Sequence, residues 1–361
     1  MTHVFVAPHP DDVALSCGGL IAGLRELGQN VTIITVFSGT SPADGELTPY
    51  QREALGFGSK TMWPVTEAFN RSHIRADEPV YGDPEFLPAW AATDDRLEAT
   101  QSDADAAAKR FWQRSSWYRR ASIRSESLAG QPLMDALSTQ GAVMTDELVD
   151  AADAGEIMAQ RRLEDEAFAA FAEASIVFLD LPDAVFRGYE GDEQLLAAPR
   201  DDDAAPYEIL RREIARLEPQ KVYLPLGVGG HVDHQLCRNV GVRLLAEGRR
   251  WVMPGPEYAG IVTFYEDFPY AWWNDFSSIG DLGPGVMDLP AGVGLMPEYA
   301  DIGDQLERKI TGINLYASQI DRLFIGGTQE MARQTRAYAR KVSTLAGGSG
   351  VAERYWSTVA T

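Results

Sequence analysis

A doubly wound, mostly parallel α/β sheet is the fold this sequence predicts, and three observations carry it. Short β-branched and apolar runs recur along the chain, and segments with helical apolar spacing stand between them. The runs are apolar on both faces, as strands covered by helices on each side require.

The first such run, residues 3–7, leads into a helix at 13–27 that Gly28 is placed to end, and a second strand follows at 30–37. The alternation then pauses. Residues 41–155 are rich in Pro, Asp, Ser and Arg, yet hold Trp63, Trp90, Trp112 and Trp117, half of the eight tryptophans in the chain. So many large apolar rings argue for a partly helical insertion that forms a lid or an oligomer contact rather than a floppy linker. Alternation resumes with a helix at 156–174, a strand at 175–180, a helix at 206–217, a strand at 221–225, a helix at 234–248 and a strand at 260–265. Residues 301–346 read as two amphipathic helices, and the tail Glu353-Arg354-Tyr355-Trp356 as a segment docking back on them. The expected organisation is one domain over 1–361, interrupted by the 41–155 insertion and closed by C-terminal helices.

Composition narrows the function. With 361 residues and 45% hydrophobic content the chain can bury a large core. Its 32 basic against 53 acidic residues give a net charge of −21, which speaks against a nucleic-acid groove and for a small, locally recognised molecule. No apolar run reaches the roughly 18 residues of a membrane span, and the N-terminus enters a strand without a basic, signal-like leader. The expectation is a soluble, cytoplasmic protein, with a homo-oligomer left open. Cys17 and Cys237 are too few for a disulfide framework and fall inside expected helices, where small buried thiols pack.

Two clusters carry the chemistry. Pro8-His9-Pro10-Asp11-Asp12 follows the first strand, and Gly229-Gly230-His231-Val232-Asp233-His234 follows the strand at 221–225. Open α/β sheets keep their ligands beyond the carboxyl ends of strands. His9 and Asp12, three apart across a turn stiffened by Pro10, form a natural pair of metal ligands. Asp11 is left beside the ion, placed to take a proton from water. His231 and His234 are also three apart, so one can bind while its neighbour faces substrate, and Asp233 could hold one of the imidazoles in a chosen tautomer. A lone His-x-x-His is a weak signal, but its pairing with the first cluster at a second strand end is not. His3 and His73 read as structural or exposed.

The paired motifs resemble those of the LmbE-like, PIG-L-type family of zinc-dependent N-acetylglucosaminyl deacetylases, with Pro8 where an alanine is usual. Arg161-Arg162-Leu163-Glu164-Asp165 and Leu179-Asp180-Leu181-Pro182-Asp183 resemble further family segments. The likeness covers residues 1–40 and 156–265. It implies zinc on His9, Asp12 and His234, with Asp11 as general base; the ligand types would equally accept Fe2+ or another divalent ion, and Asp233 stays the supporting residue of the reading above. His231 would stabilise the oxyanion or protonate the leaving amine. Arg161 and Asp183 would contact a sugar conjugate; otherwise Arg161 is an exposed helix-start charge paired with Asp165. Some family members carry a tyrosine two residues before the first histidine of the second motif. Gly229 stands there in this chain, so Tyr265 or Tyr189 would have to supply a hydroxyl if one is used. The implied reaction is removal of an acetyl group from a glucosamine-type amine. Alternatives are hydrolysis of another N-acyl substrate, or a Rossmann-like nucleotide- or metal-binding protein without this activity. The nucleotide reading lacks the Gly-x-Gly-x-x-Gly turn and puts Asp11 and Asp12 where a pyrophosphate would sit.

Overall fold

The computed structural model describes residues 1–40, 47–55, 151–203, 206–247, 260–274, 276, 287–324 and 326–361. Most of the expected insertion lies outside these residues, with its four tryptophans, His73 and its role as lid or oligomer contact.

Seven strands form one sheet: β1 (Thr2–Ala7), β2 (Asn30–Thr35), β3 (Ser175–Phe178), β4 (Lys221–Pro225), β5 (Val262–Tyr265), β6 (Val293–Asp301) and β7 (Ala352–Ala360). Their spatial order is β3-β2-β1-β4-β5-β7-β6. The first five run parallel, while β7 is antiparallel to both of its neighbours. The helices are α1 (Asp12–Glu26), α2 (Pro49–Ala54), α3 (Ala151–Phe171), α4 (Asp192–Leu195), α5 (Pro206–Leu217), α6 (Val232–Glu247), α7 (Tyr270–Trp273), α8 (Leu306–Ile313), α9 (Ala317–Leu323) and α10 (Gly327–Leu345). None of the described helices is long and apolar enough to cross a membrane.

The doubly wound fold is therefore the one expected. Val4, Phe5 and Val6 are fully buried, as a central strand covered on both faces must be. The chain winds outward from β1 through β2 to β3, then returns to β4 on the other side of β1. That reversal opens a crevice at the carboxyl ends of β1 and β4, where both sequence clusters lie. Cys17 and Cys237 are free and buried, as packing residues should be.

The C-terminal part departs from expectation. Residues 306–345 form three helices rather than two, and the Glu353–Trp356 tail is the middle of β7, inserted between β5 and β6. Its bulky, buried Tyr355 and Trp356 suit a strand, but the reversal of sheet direction has no signature in local pattern.

A buried charge pair fixes this half of the sheet to α1. The Glu353 carboxylate accepts from Lys309 Nζ at 2.6 Å and the Tyr355 hydroxyl at 2.7 Å, and from the N–H groups of Gly19 and Leu20 at 2.9 and 2.8 Å. Gly19 permits the approach: a Cβ there would meet Ile302 Cγ2 at 2.6 Å. Because Lys309 and Glu353 are only 4% and 3% exposed, Lys309→Met should strand a buried carboxylate and cost about 3–5 kcal/mol. Urea unfolding at neutral pH should show this loss, and adding Glu353→Gln should recover part of it.

Candidate metal and catalytic centre

Every side chain of the centre comes from a segment that follows a parallel strand. The turn after β1 supplies His9, Asp11 and Asp12. The segment after β3 supplies Asp183 and Arg187, that after β4 supplies His231, Asp233 and His234, and that after β5 supplies Asp267 and Tyr270.

Asp12 Oδ2 lies 3.4 Å from His9 Nδ1 and 3.4 Å from His234 Nε2. It also accepts the His9 backbone N–H at 2.8 Å, which locks the turn. Four ligands held tetrahedrally at about 2.1 Å from a zinc ion stand about 3.4 Å apart. The outer nitrogen of each imidazole is occupied: His9 Nε2 meets Asp233 Oδ2 at 2.9 Å, and His234 Nδ1 meets Asp267 Oδ1 at 2.7 Å. Carboxylates on the outer nitrogens leave His9 Nδ1 and His234 Nε2 as the nitrogens free to bind a cation. The three histidines His9, His231 and His234 also offer ring nitrogens within 4.8 Å of one another, as do His9, Asp183 and Asp233 ligand atoms. The donor set thus fits a divalent ion of the zinc or iron type.

Electrostatics agree with that fit. Burial alone would lower His9, but hydrogen bonds to Asp12 and Asp233 outweigh it and hold the imidazole charged up to about 10. His234 is raised in the same way by Asp12 and Asp267 against its burial. Burial would raise Asp12, yet the charges of His234 and His9 hold it at about 2. Asp11 goes the other way: burial, then the Asp12 carboxylate beside it, push it up to about 8. It is also strained, with a φ of 107° that a non-glycine residue rarely adopts. His231 is pushed well below its ordinary value by burial and then by the His9 charge. Its Nδ1 accepts the Asp233 N–H at 3.2 Å, so its proton sits on Nε2.

A cavity of about 280 Å³ has His9, Asp11, Asp12, Arg161, Asp183, His231 and Tyr270 in its wall. Leu15, Leu55, Val185, Leu195 and Leu323 add apolar surface to the same wall. Arg161 is not the exposed charge of the alternative reading. Its side chain is 12% exposed, Nη2 donates to the Pro10 carbonyl at 3.4 Å, and Nε has no partner among the described residues. Asp165 instead accepts from the hydroxyls of Thr35 and Tyr316, each at 2.6 Å.

Neither tyrosine put forward from the sequence reaches the cavity. Tyr265 donates to the Val6 carbonyl inside the core at 2.8 Å, and Tyr189 donates to Asp203 at 2.9 Å. Tyr270 lines the cavity instead, edge-on to His234 with ring centroids 5.9 Å apart. Gly229 makes room for it: a Cβ there would lie 2.8 Å from Tyr270 Cγ. The sequence reading also missed Asp267 and Arg187. Asp267 stands just past the expected strand at 260–265, the same placement that marked His9, so position alone could have flagged it. Arg187 had no such signal.

Comparison with known proteins bears out the family resemblance. The profile of the PIG-L family, described as GlcNAc-PI de-N-acetylase, matches residues 4–78. A 2'-N-acetylparomamine deacetylase of Streptomyces fradiae is 31% identical over 167 residues, covering 45% of this chain and 51% of that protein. The chain therefore spans about half the length of this curated relative. Among solved structures, the zinc-inhibited form of teicoplanin deacetylase Orf2 has a TM-score of 0.55 at 18% identity, covering 100% of this chain and 99% of its own. The A40926 pseudoaglycone deacetylase Dbv21 has a TM-score of 0.53 at 20% identity, covering 99% and 97%. These two establish a shared fold.

The seat of Tyr270 can be probed directly. Gly229 has a φ of +96°, so Gly229→Ala combines backbone strain with the clash against Tyr270 and should cost about 1–3 kcal/mol. Tyr270 also meets Trp273 edge-on at 5.6 Å between ring centroids, so a fall in thermal midpoint together with a changed near-ultraviolet dichroism of this pair is the expected outcome.

Proposed function

We propose that this chain is a divalent-metal-dependent amide hydrolase that removes an acetyl group from the 2-amino position of a glucosamine-type sugar conjugate. One observation carries the reading: Asp12 Oδ2 stands 3.4 Å from a nitrogen of each of two imidazoles whose other nitrogens are held by aspartates. The ligands are His9, Asp12 and His234. A bound zinc or similar ion supplies Lewis acidity toward the amide carbonyl and makes water a better nucleophile.

The chain's own residues supply the remaining steps. Asp11, which lines the cavity and is excess to the ligand set, takes the proton in its ionised form as water attacks the carbonyl carbon. His231, with its proton on Nε2, donates a hydrogen bond to the oxygen on which negative charge develops. The phenol of Tyr270, which lines the same cavity, would be a second neutral donor. The C–N bond then breaks as Asp11 returns its proton to the leaving nitrogen, giving the free amine and acetic acid, which loses its proton to water or to the amine. Arg161 and Asp183, which face each other at 4.0 Å across the cavity wall, are placed to hold sugar hydroxyls. A relative named for an N-acetylated amino sugar supports the substrate class.

Stoichiometric metal should be lost in His9→Ala and in His234→Ala, measured by elemental analysis after purification without added metal. Content near one ion per chain in both variants would refute the ligand assignment. Asp11→Asn should keep its metal while kcat on an N-acetylglucosamine conjugate falls by about 10²–10⁴. A loss under tenfold would remove Asp11 from the role of base. For Tyr270→Phe the expected fall in kcat is about 10- to 100-fold with KM nearly unchanged, smaller than that of the base because His231 remains.

A further inference from the structure

Arg187 belongs to no motif, yet it is the most heavily engaged side chain near the centre. Its Nη2 forms ion pairs with Asp233 Oδ1 and, at 2.9 Å, with Asp203 Oδ2. Nε lies 3.1 Å from both Asp203 oxygens, Nη1 donates to the Pro182 carbonyl at 2.6 Å, and the guanidinium rests 4.5 Å above the Phe37 ring. Asp203 is held in turn by the Tyr189 hydroxyl at 2.9 Å. Asp233, fully buried, spends its other oxygen on His9 Nε2 at 2.9 Å and on the Ala184 N–H at 3.1 Å. An unbroken chain of contacts thus runs Asp203–Arg187–Asp233–His9.

We propose that Arg187 is a positioning residue of the centre, clamping Asp233 so that His9 keeps its proton on Nε2 and presents Nδ1 to a divalent cation. The inference rests on the metal reading above. Without the clamp the Asp233 carboxylate can rotate away, and His9 is free to place its proton on Nδ1, next to Asp12, where it blocks the ligand position. A planar fork that meets two carboxylates at once is a task for arginine, and lysine cannot reproduce it.

The test uses the full chain stripped of metal and titrated with Zn2+ against a chromophoric chelator, and with Co2+ while its visible absorption bands are recorded. Arg187→Met should weaken Zn2+ binding by about 10- to 100-fold and shift the Co2+ bands, the size seen when a partner of a metal-bound histidine is lost. Arg187→Lys should recover only part of the affinity. A folded Arg187→Met protein whose Kd and Co2+ spectrum lie within twofold of wild type would overturn the proposal. If Arg187→Met does not fold, Asp203→Asn decides, since it loosens the clamp while leaving the Arg187 charge: unchanged Kd and bands overturn the proposal, and weakened binding with shifted bands supports it. A wild-type chain that takes up neither ion refutes the metal reading itself, and this inference with it.

Discussion

The centre depends on how buried negative charge is neutralised. Asp12, Asp233 and Asp267 are each at most 7% exposed, and all three converge on two imidazoles. Carboxylates at this depth are tolerable only if cations stand among them. In the protein alone, His9 and His234 take that part by holding protons, which is why His9 rises to about 10 while Asp12 falls to about 2. A divalent ion would replace those two protons with the same charge at one point. Asp11 shares the crowding but no imidazole contact, and its rise to about 8 reflects burial and the neighbouring Asp12 charge.

The fold sets up this convergence through strand order. Because β1 lies between β2 and β4, the turns that follow β1 and β4 open side by side at the crevice, and β5 adds Asp267 from the next strand along. Further contacts keep the segments in place. The Phe268 N–H donates to Ser16 Oγ on α1 at 3.1 Å, tying the segment after β5 to the helix that begins at Asp12. Asp267 Oδ2 accepts the N–H groups of Gly227 and Val228 at 2.8 Å each, tying the same segment to the turn after β4.

Much of this was legible in the sequence because it is local. The parallel strands announce themselves by apolar runs such as Val4-Phe5-Val6, and the two clusters by residue types at fixed spacing just past strand ends. What escaped is set by tertiary contact. β7 has the composition of a buried strand, but nothing near Tyr355 or Trp356 says that it runs against its neighbours. Tyr270 and Gly229 are 41 residues apart, and only the packed structure shows that the missing side chain of one is the seat of the other's ring. Arg187 likewise reads as an ordinary charge until Asp203 and Asp233 are brought to it.

The two histidines that face Asp12 are supported by different means, and the difference has a physical consequence. His234 leans on Asp267, whose other oxygen is held by backbone N–H groups, so that half of the centre is fixed by the main chain following β4. His9 leans on Asp233, which takes one N–H, that of Ala184, on the oxygen facing His9 and has its other oxygen held by a side chain, both from the excursion after β3. Backbone donors are present whatever side chains surround them, whereas a guanidinium clamp exists only while the 180–203 segment is folded around Asp203. The same segment contributes Asp183, Val185, Asp192 and Leu195 to the cavity wall. Ordering of the cavity wall and alignment of His9 are therefore not independent: a change that loosens one loosens the other through Arg187.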